Sequence, residues 1–150
     1  MFLILSILLP LGVGFIESFF TTPNIQSWYQ YIEKPSFNPP NWIFGPVWTV
    51  LYILMGISFY LYAKSEDSKK QGYVYYFVQL GLNSLWSILF FGLQNPLLGL
   101  IEIFFLLTFI ILTIREFRQV NKIAGILLLP YLAWVSFATI LNLNIWLLNR

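Results

Sequence analysis

The chain has 150 residues, of which 59% are hydrophobic, 20% aromatic and 9% charged, with a mean hydropathy of +0.76 and a net charge of +2. A soluble domain carries about 25% charged residues, so a fully water-covered globule is excluded and lipid is the expected solvent. The small, scattered positive charge excludes a nucleic-acid partner, and the lack of both cysteine and histidine removes disulfides, thiolate sites and the usual zinc and haem ligands, so no metal site and no intrinsic cofactor is expected.

A membrane helix needs about 20 mostly apolar residues, because each adds about 1.5 Å across about 30 Å of hydrocarbon. Five stretches qualify: residues 2–20, 42–63, 72–93, 97–114 and 123–148. The first lacks a basic leading region and an A-x-A-like cleavage site, and reads as a retained helix rather than a signal peptide. In lipid every backbone group must be satisfied within the segment, which leaves helices for spans this long. The prediction is one all-α domain over residues 1–150, an integral membrane bundle of five transmembrane helices. No internal repeat divides it.

Between the first two spans lies a long Pro/Trp-rich loop, Thr21 to Asn41, leading into "KPSFNPPNWIFGPVW" (Lys34–Trp48). Proline fixes φ, lacks an N–H and pushes the preceding residue out of the helical region. Pro35, Pro39 and Pro40 therefore exclude a helix across residues 34–41. The second span is expected to start near Trp42, with Asn41 as N-cap and Pro46 in the first turn or so. Two readings of the loop stay open. Long ordered loops often serve as lids over a site, while Trp28, Tyr29, Tyr31 and Trp42 could equally form a headgroup-level aromatic belt.

Side chains at i, i+3, i+4 and i+7 share a helix face. On the second span Trp48, Tyr52 and Met55 align; on the third, Gln79, Asn83, Trp86, Ser87 and Phe90; on the fifth, Tyr131, Trp134, Ala138, Leu141 and Asn142. Singly, each aromatic stripe reads as packing. Together, rings and a few amides on three helices suit a flat conjugated ligand with polar edges. Buried amides must be paired, so Asn83 and Asn142 should face the interior, Asn142 as an interhelical bond. Gly81, Ser84 and Ser87 form a small-residue ridge. Glu17 and Glu102 sit near span ends, where a carboxylate can reach water, and a structural role is expected for each; nothing in the spacing pairs them.

With five crossings, Lys64, Lys69, Lys70, Arg115, Arg118 and Lys122 share one side, leaving Lys34 and Arg150 on the other. The positive-inside rule then places the N-terminus in the cytoplasm and loop 21–41 outside. No phosphate loop, nucleophile elbow or metal motif supports conventional catalysis.

The order "WYQYIEKPSFNPPNWIFGPVWTVLY", "QLGLNSLWSILFFGLQNP" and "LLLPYLAWVSFATILNLNIWLLN" strongly resembles the TspO/MBR family, the tryptophan-rich sensory proteins related to the mitochondrial translocator protein and peripheral benzodiazepine receptor. The resemblance covers essentially the whole chain. It implies a five-helix bundle, commonly a homodimer, in a bacterial cell membrane, that binds porphyrins such as protoporphyrin IX and haem in a pocket walled by aromatic residues beneath the first loop. By position, the family's ligand-site residues fall on Tyr29, Pro39, Trp48, Tyr52, Asn83, Trp86, Trp134 and Ala138, and the stripes add Ser87 and Phe90. Some bacterial members are described as degrading protoporphyrin with light and oxygen through two pocket tryptophans, which match Trp48 and Trp134. The vertebrate cholesterol-recognition motif is incomplete, with Leu143 where its tyrosine is expected. Three functions follow as expectations: a tetrapyrrole receptor or transporter-like protein, a photo-oxidative enzyme, or a membrane scaffold.

Overall fold

Each of the five apolar runs becomes a helix long enough to cross a membrane. The computed structural model describes every residue from Met1 to Arg150. Helix α1 (Phe2–Asn24) continues through a π-helical turn, Ile25–Tyr29; α2 spans Asn41–Ala63; α3 (Lys70–Ser87) also ends in a π turn, Ile88–Gly92; α4 spans Pro96–Val120; a short α5 (Lys122–Ile126) leads into α6 (Leu129–Asn149). The five spans form an all-α membrane bundle, as expected.

Several boundaries differ from the sequence reading, each for a physical reason. The first helix does not stop at Phe20. It runs on to Tyr29, so the loop shrinks from residues 21–41 to residues 30–40. Pro23 lies inside the helix and withholds the donor for the Phe19 carbonyl, yet the turn survives, and side chains add bonds to neighbouring carbonyls. Asn24 Nδ2 donates to the Phe20 carbonyl at 2.6 Å and Ser27 Oγ to that of Pro23 at 2.8 Å. The chain then widens into the π turn, a common response to an interrupted ladder.

Asn41 is the first residue of α2 rather than its cap. Pro40, in extended conformation, holds the N-cap position without a side-chain bond. Pro46 consequently falls in the second turn. Helix α4 continues over Arg115 and Arg118 to Val120, since charge ends a hydrophobic run without ending a helix. Asn121 closes it and caps α5, its Oδ1 accepting from Ile123 N at 3.0 Å and Ala124 N at 3.2 Å. The fifth span breaks at Leu127–Leu128, just before Pro130.

In the bundle α1 packs on α2 and α3, α3 on α4, and α4 on α6, while α5 wedges against α2 and α4. Helices α1 and α2 approach closely at Gly56, where a Cβ would strike the backbone of Ser6 and Ile7. At the end far from loop 30–40 the core is dense: the rings of Tyr62 and Phe117 stack at 4.2 Å and 10°, and those of Phe59 and Tyr76 at 4.7 Å. Ser58 Oγ donates to the Ala124 carbonyl at 2.6 Å, joining α2 to α5. Towards the loop, α2 and α6 meet through rings, Phe44 with Trp134 at 6.2 Å and Trp48 with Tyr131 at 6.3 Å, and a space is left between the helices.

Candidate functional site

That space is a cavity of about 790 Å³ in the loop-side half of the bundle. Small-molecule sites occupy about 300–1,000 Å³, so its size suits a large planar ligand. Four spans wall it: α1, α2, the end of α3 and α6. Helices α4 and α5 contribute nothing to its lining; α4 packs behind α3 and α6, and α5 packs on α2 and α4.

Eight of the ten residues expected at a ligand site line this cavity: Tyr29, Trp48, Tyr52, Trp86, Ser87, Phe90, Trp134 and Ala138. The rings form a connected wall. Trp48 lies 5.5 Å from Tyr52, Phe44 6.2 Å from Trp134, and Trp86 stacks on Phe90 at 5.0 Å and 18°. The π turn of α3 matters here. Consecutive residues of an α-helix point about 100° apart, yet Phe90 and Phe91 are both buried and both line the cavity. The wider turn, closed by Leu93 N donating to the Ile88 carbonyl at 2.8 Å, brings both rings inward.

Pro39 and Asn83 do not line it. Asn83 is buried behind the wall, its Nδ2 donating to Tyr131 Oη at 3.2 Å, while Tyr131 donates to Gln79 Oε1 at 2.7 Å. Pro39 belongs to loop 30–40, no residue of which reaches the cavity. The loop acts indirectly, through Tyr29. Tyr29 Oη donates to Asn38 Oδ1 at 2.6 Å, and Lys34 Nζ bonds the carbonyls of Tyr29 at 2.7 Å and Ile32 at 3.0 Å while sitting 5.1 Å from the Tyr29 ring centre. The loop is tied to α6 by a reciprocal pair: Glu33 N donates to Asn149 Oδ1 at 3.0 Å and Asn149 Nδ2 to the Glu33 carbonyl at 2.7 Å. Phe37 adds a ring contact to Phe137 at 6.1 Å. The result is a loop pinned to α6 that fixes the buried Tyr29 side chain in the cavity wall.

Helix α1 supplies much of what the sequence reading missed. Gly14, Glu17, Ser18, Thr21 and Ile25 descend one face of it into the cavity. Gly14 leaves room for the Tyr52 ring, which a Cβ there would strike. Glu17 is buried rather than water-reaching, and its carboxylate gathers three helices: Tyr52 Oη donates to Oε2 at 2.8 Å, Ser84 Oγ to Oε1 at 2.6 Å and Ser87 Oγ to Oε2 at 3.5 Å. Ser84, from the small-residue ridge, thus faces α1, whereas Gly81 is exposed with nothing near it. Glu102 is buried as well, but both its oxygens lack a partner. Asn142 makes the interhelical bonds expected of it, Trp86 Nε1 donating to its Oδ1 at 3.0 Å and its Nδ2 to the Pro96 carbonyl at 2.8 Å.

Comparison with known proteins agrees with this architecture. The model of the TspO/MBR family matches residues 6–147. The chain is 53% identical to the tryptophan-rich protein TspO of Archaeoglobus fulgidus, over 98% of this chain and 96% of that protein. It is 48% identical to the protein of the same name from Chlorobaculum tepidum, over 98% and 95%. The human translocator protein is 36% identical over 88% of this chain and 80% of its own length.

Proposed function

The chain belongs to the TspO/MBR family of membrane proteins, and from that premise we propose that its cavity binds a planar tetrapyrrole, protoporphyrin IX or haem, in a receptor or transporter-like role in porphyrin handling or stress signalling. One observation carries the reading: aromatic rings from four spans converge on a single 790 Å³ hollow under a pinned cap. Such rings offer flat faces to stack on a macrocycle, and Ser87 with the Tyr52 hydroxyl offers polar orientation at its edge. The relatives' names, sensory protein and translocator protein, fit a ligand-responsive membrane role. In this proposal the N-terminus is cytoplasmic, the capping loop external, and the working unit a homodimer.

Titrating protoporphyrin IX into the detergent-solubilised chain while following tryptophan fluorescence tests it. Saturable quenching is expected, weakened in the Trp48→Phe/Trp134→Phe double variant. No saturable binding would leave only the scaffold role.

A second reading has its own support. Trp48 and Trp134 both line the cavity, and Phe44 bridges towards Trp134. A photoexcited porphyrin can take an electron from a stacked indole and pass it to dissolved oxygen, giving superoxide. The indole radical cation then regains an electron from the porphyrin ring, so the ring is oxidised, oxygen is reduced and no metal is needed. Illumination in oxygen should then give a new absorbing product faster with the wild-type chain than with the double variant. Equal bleaching by both would dismiss catalysis while leaving binding intact.

A further inference from the structure

The cavity has a single charged group in its lining, the carboxylate of Glu17, and no lysine or arginine. Lys34, the basic residue of the loop, is spent on the carbonyls that shape the cap. The same lining holds the rings of Trp48, Tyr52, Trp86, Phe90 and Trp134, and an aromatic face turned to a ligand carries negative potential that attracts cations. An ionised carboxylate accepts about four hydrogen bonds. Glu17 receives three, all from hydroxyls that can only partly offset its charge. Among its side chains the hollow therefore offers one carboxylate and no cation.

We propose that Glu17 is the specificity-determining residue of the cavity, a charge filter that admits planar aromatic ligands with a neutral or cationic edge inward and turns away those that lead with an anion. The inference rests on the cavity being the ligand site. It deepens that reading by fixing orientation. A carboxylate-bearing ring enters with its uncharged edge towards Glu17 and keeps its own carboxylates at the mouth, near Thr22, Gln26 and Asn41. A ring carrying carboxylates on every edge has no acceptable orientation, because one of them would meet Glu17 without a counter-charge. A flat aromatic amine gains both the carboxylate and the ring faces.

Three tricyclic probes of matched shape separate charge from fit: an aminoacridine (cation), acridone (neutral) and an acridine carboxylate (anion). Each is titrated into the full chain in an uncharged detergent, with tryptophan quenching as readout, for wild type and Glu17→Gln. In wild type the cation should bind at least about tenfold more tightly than the anion, the worth of one hydrogen bond to a charged group, with acridone between. In Glu17→Gln the two charged probes should converge to within about threefold. Acridone should be unaffected, and its retained binding shows that the variant is folded. An unchanged order in Glu17→Gln, or an anion bound most tightly by wild type, overturns the filter alone. If neither the probes nor protoporphyrin IX binds saturably, the cavity reading falls and the filter with it.

Discussion

Replacing Asn149 with alanine removes the two hydrogen bonds that tie loop 30–40 to α6, the 3.0 Å bond from Glu33 N and the 2.7 Å bond to the Glu33 carbonyl. A typical hydrogen bond contributes about 0.5–1.5 kcal/mol net. Because both lie at an exposed edge, the pair is placed towards the lower end, about 1–2 kcal/mol together. Since 1.4 kcal/mol is a factor of ten, the opening equilibrium of the cap should rise about five- to thirtyfold. Hydrogen exchange in detergent or nanodiscs reads this directly. The hydrogen-bonded amides of this stretch, Tyr31, Asn38 and above all Glu33, should lose protection by that factor, while the helical amides of α2 and α4 keep theirs. Asn149→Asp should fall between, because it retains an acceptor for Glu33 N and loses the donor to the Glu33 carbonyl. If exchange across residues 31–38 is unchanged in Asn149→Ala, the cap is held by its prolines and by the Phe37–Phe137 contact instead, and the reciprocal pair is incidental.

Two further substitutions probe the bundle. Gly56→Ala should lower the thermal midpoint of the solubilised chain, by a destabilisation of about 1–3 kcal/mol, because the new Cβ meets backbone of α1, with the Ser6 carbonyl oxygen at 2.6 Å, and backbone cannot rotate away. Gly81→Ala, where a Cβ meets nothing, should leave the midpoint close to wild type, and an equal drop in both would refute the close-approach explanation. Glu102→Met should raise the midpoint, since it replaces a buried carboxyl with no partner by an adaptable apolar chain, and an unsatisfied buried group costs about 1–3 kcal/mol; a lower midpoint would show that the carboxyl has a stabilising role.

How much of this was legible in the sequence depends on which interactions are local. The five crossings were readable because a long apolar run with at most one charged residue has only one use in this composition. Their ends were not. The Thr-Thr-Pro-Asn stretch at residues 21–24 reads as the start of a linker, yet threonine and asparagine side chains inside a membrane protein bond back to the helix and let it continue, as Asn24 does. The fifth span reads as one run, but Pro130 divides it through backbone geometry that hydropathy does not register. At the site, the faces of α2, α3 and α6 followed from residue spacing, because rings at i and i+4 must share a side. The contribution of α1 did not, since Gly14, Ser18 and Thr21 act by being small and polar rather than by standing out. The destination of Glu17 lay further out of reach. Its three donors come from Tyr52, Ser84 and Ser87, residues 35 to 70 positions away on other helices, and helix adjacency is not written in any local pattern. Asn83 shows the converse limit: its face was read correctly as interior, but interior here means a bond to Tyr131, away from the hollow.

The π turn at Ile88–Gly92 ties the shape of the hollow to a count of residues. Each residue advances a helix by about 100°, so deleting one from this stretch would return the turn to α geometry and swing the side chains beyond it by that angle. Phe90 and Phe91 could then no longer both face inward, and the azimuth of the chain leading to Asn95, which caps α4 by accepting from Leu98 N at 3.1 Å, would change with them. A sequence that kept every aromatic letter but lacked that one position would build a different room.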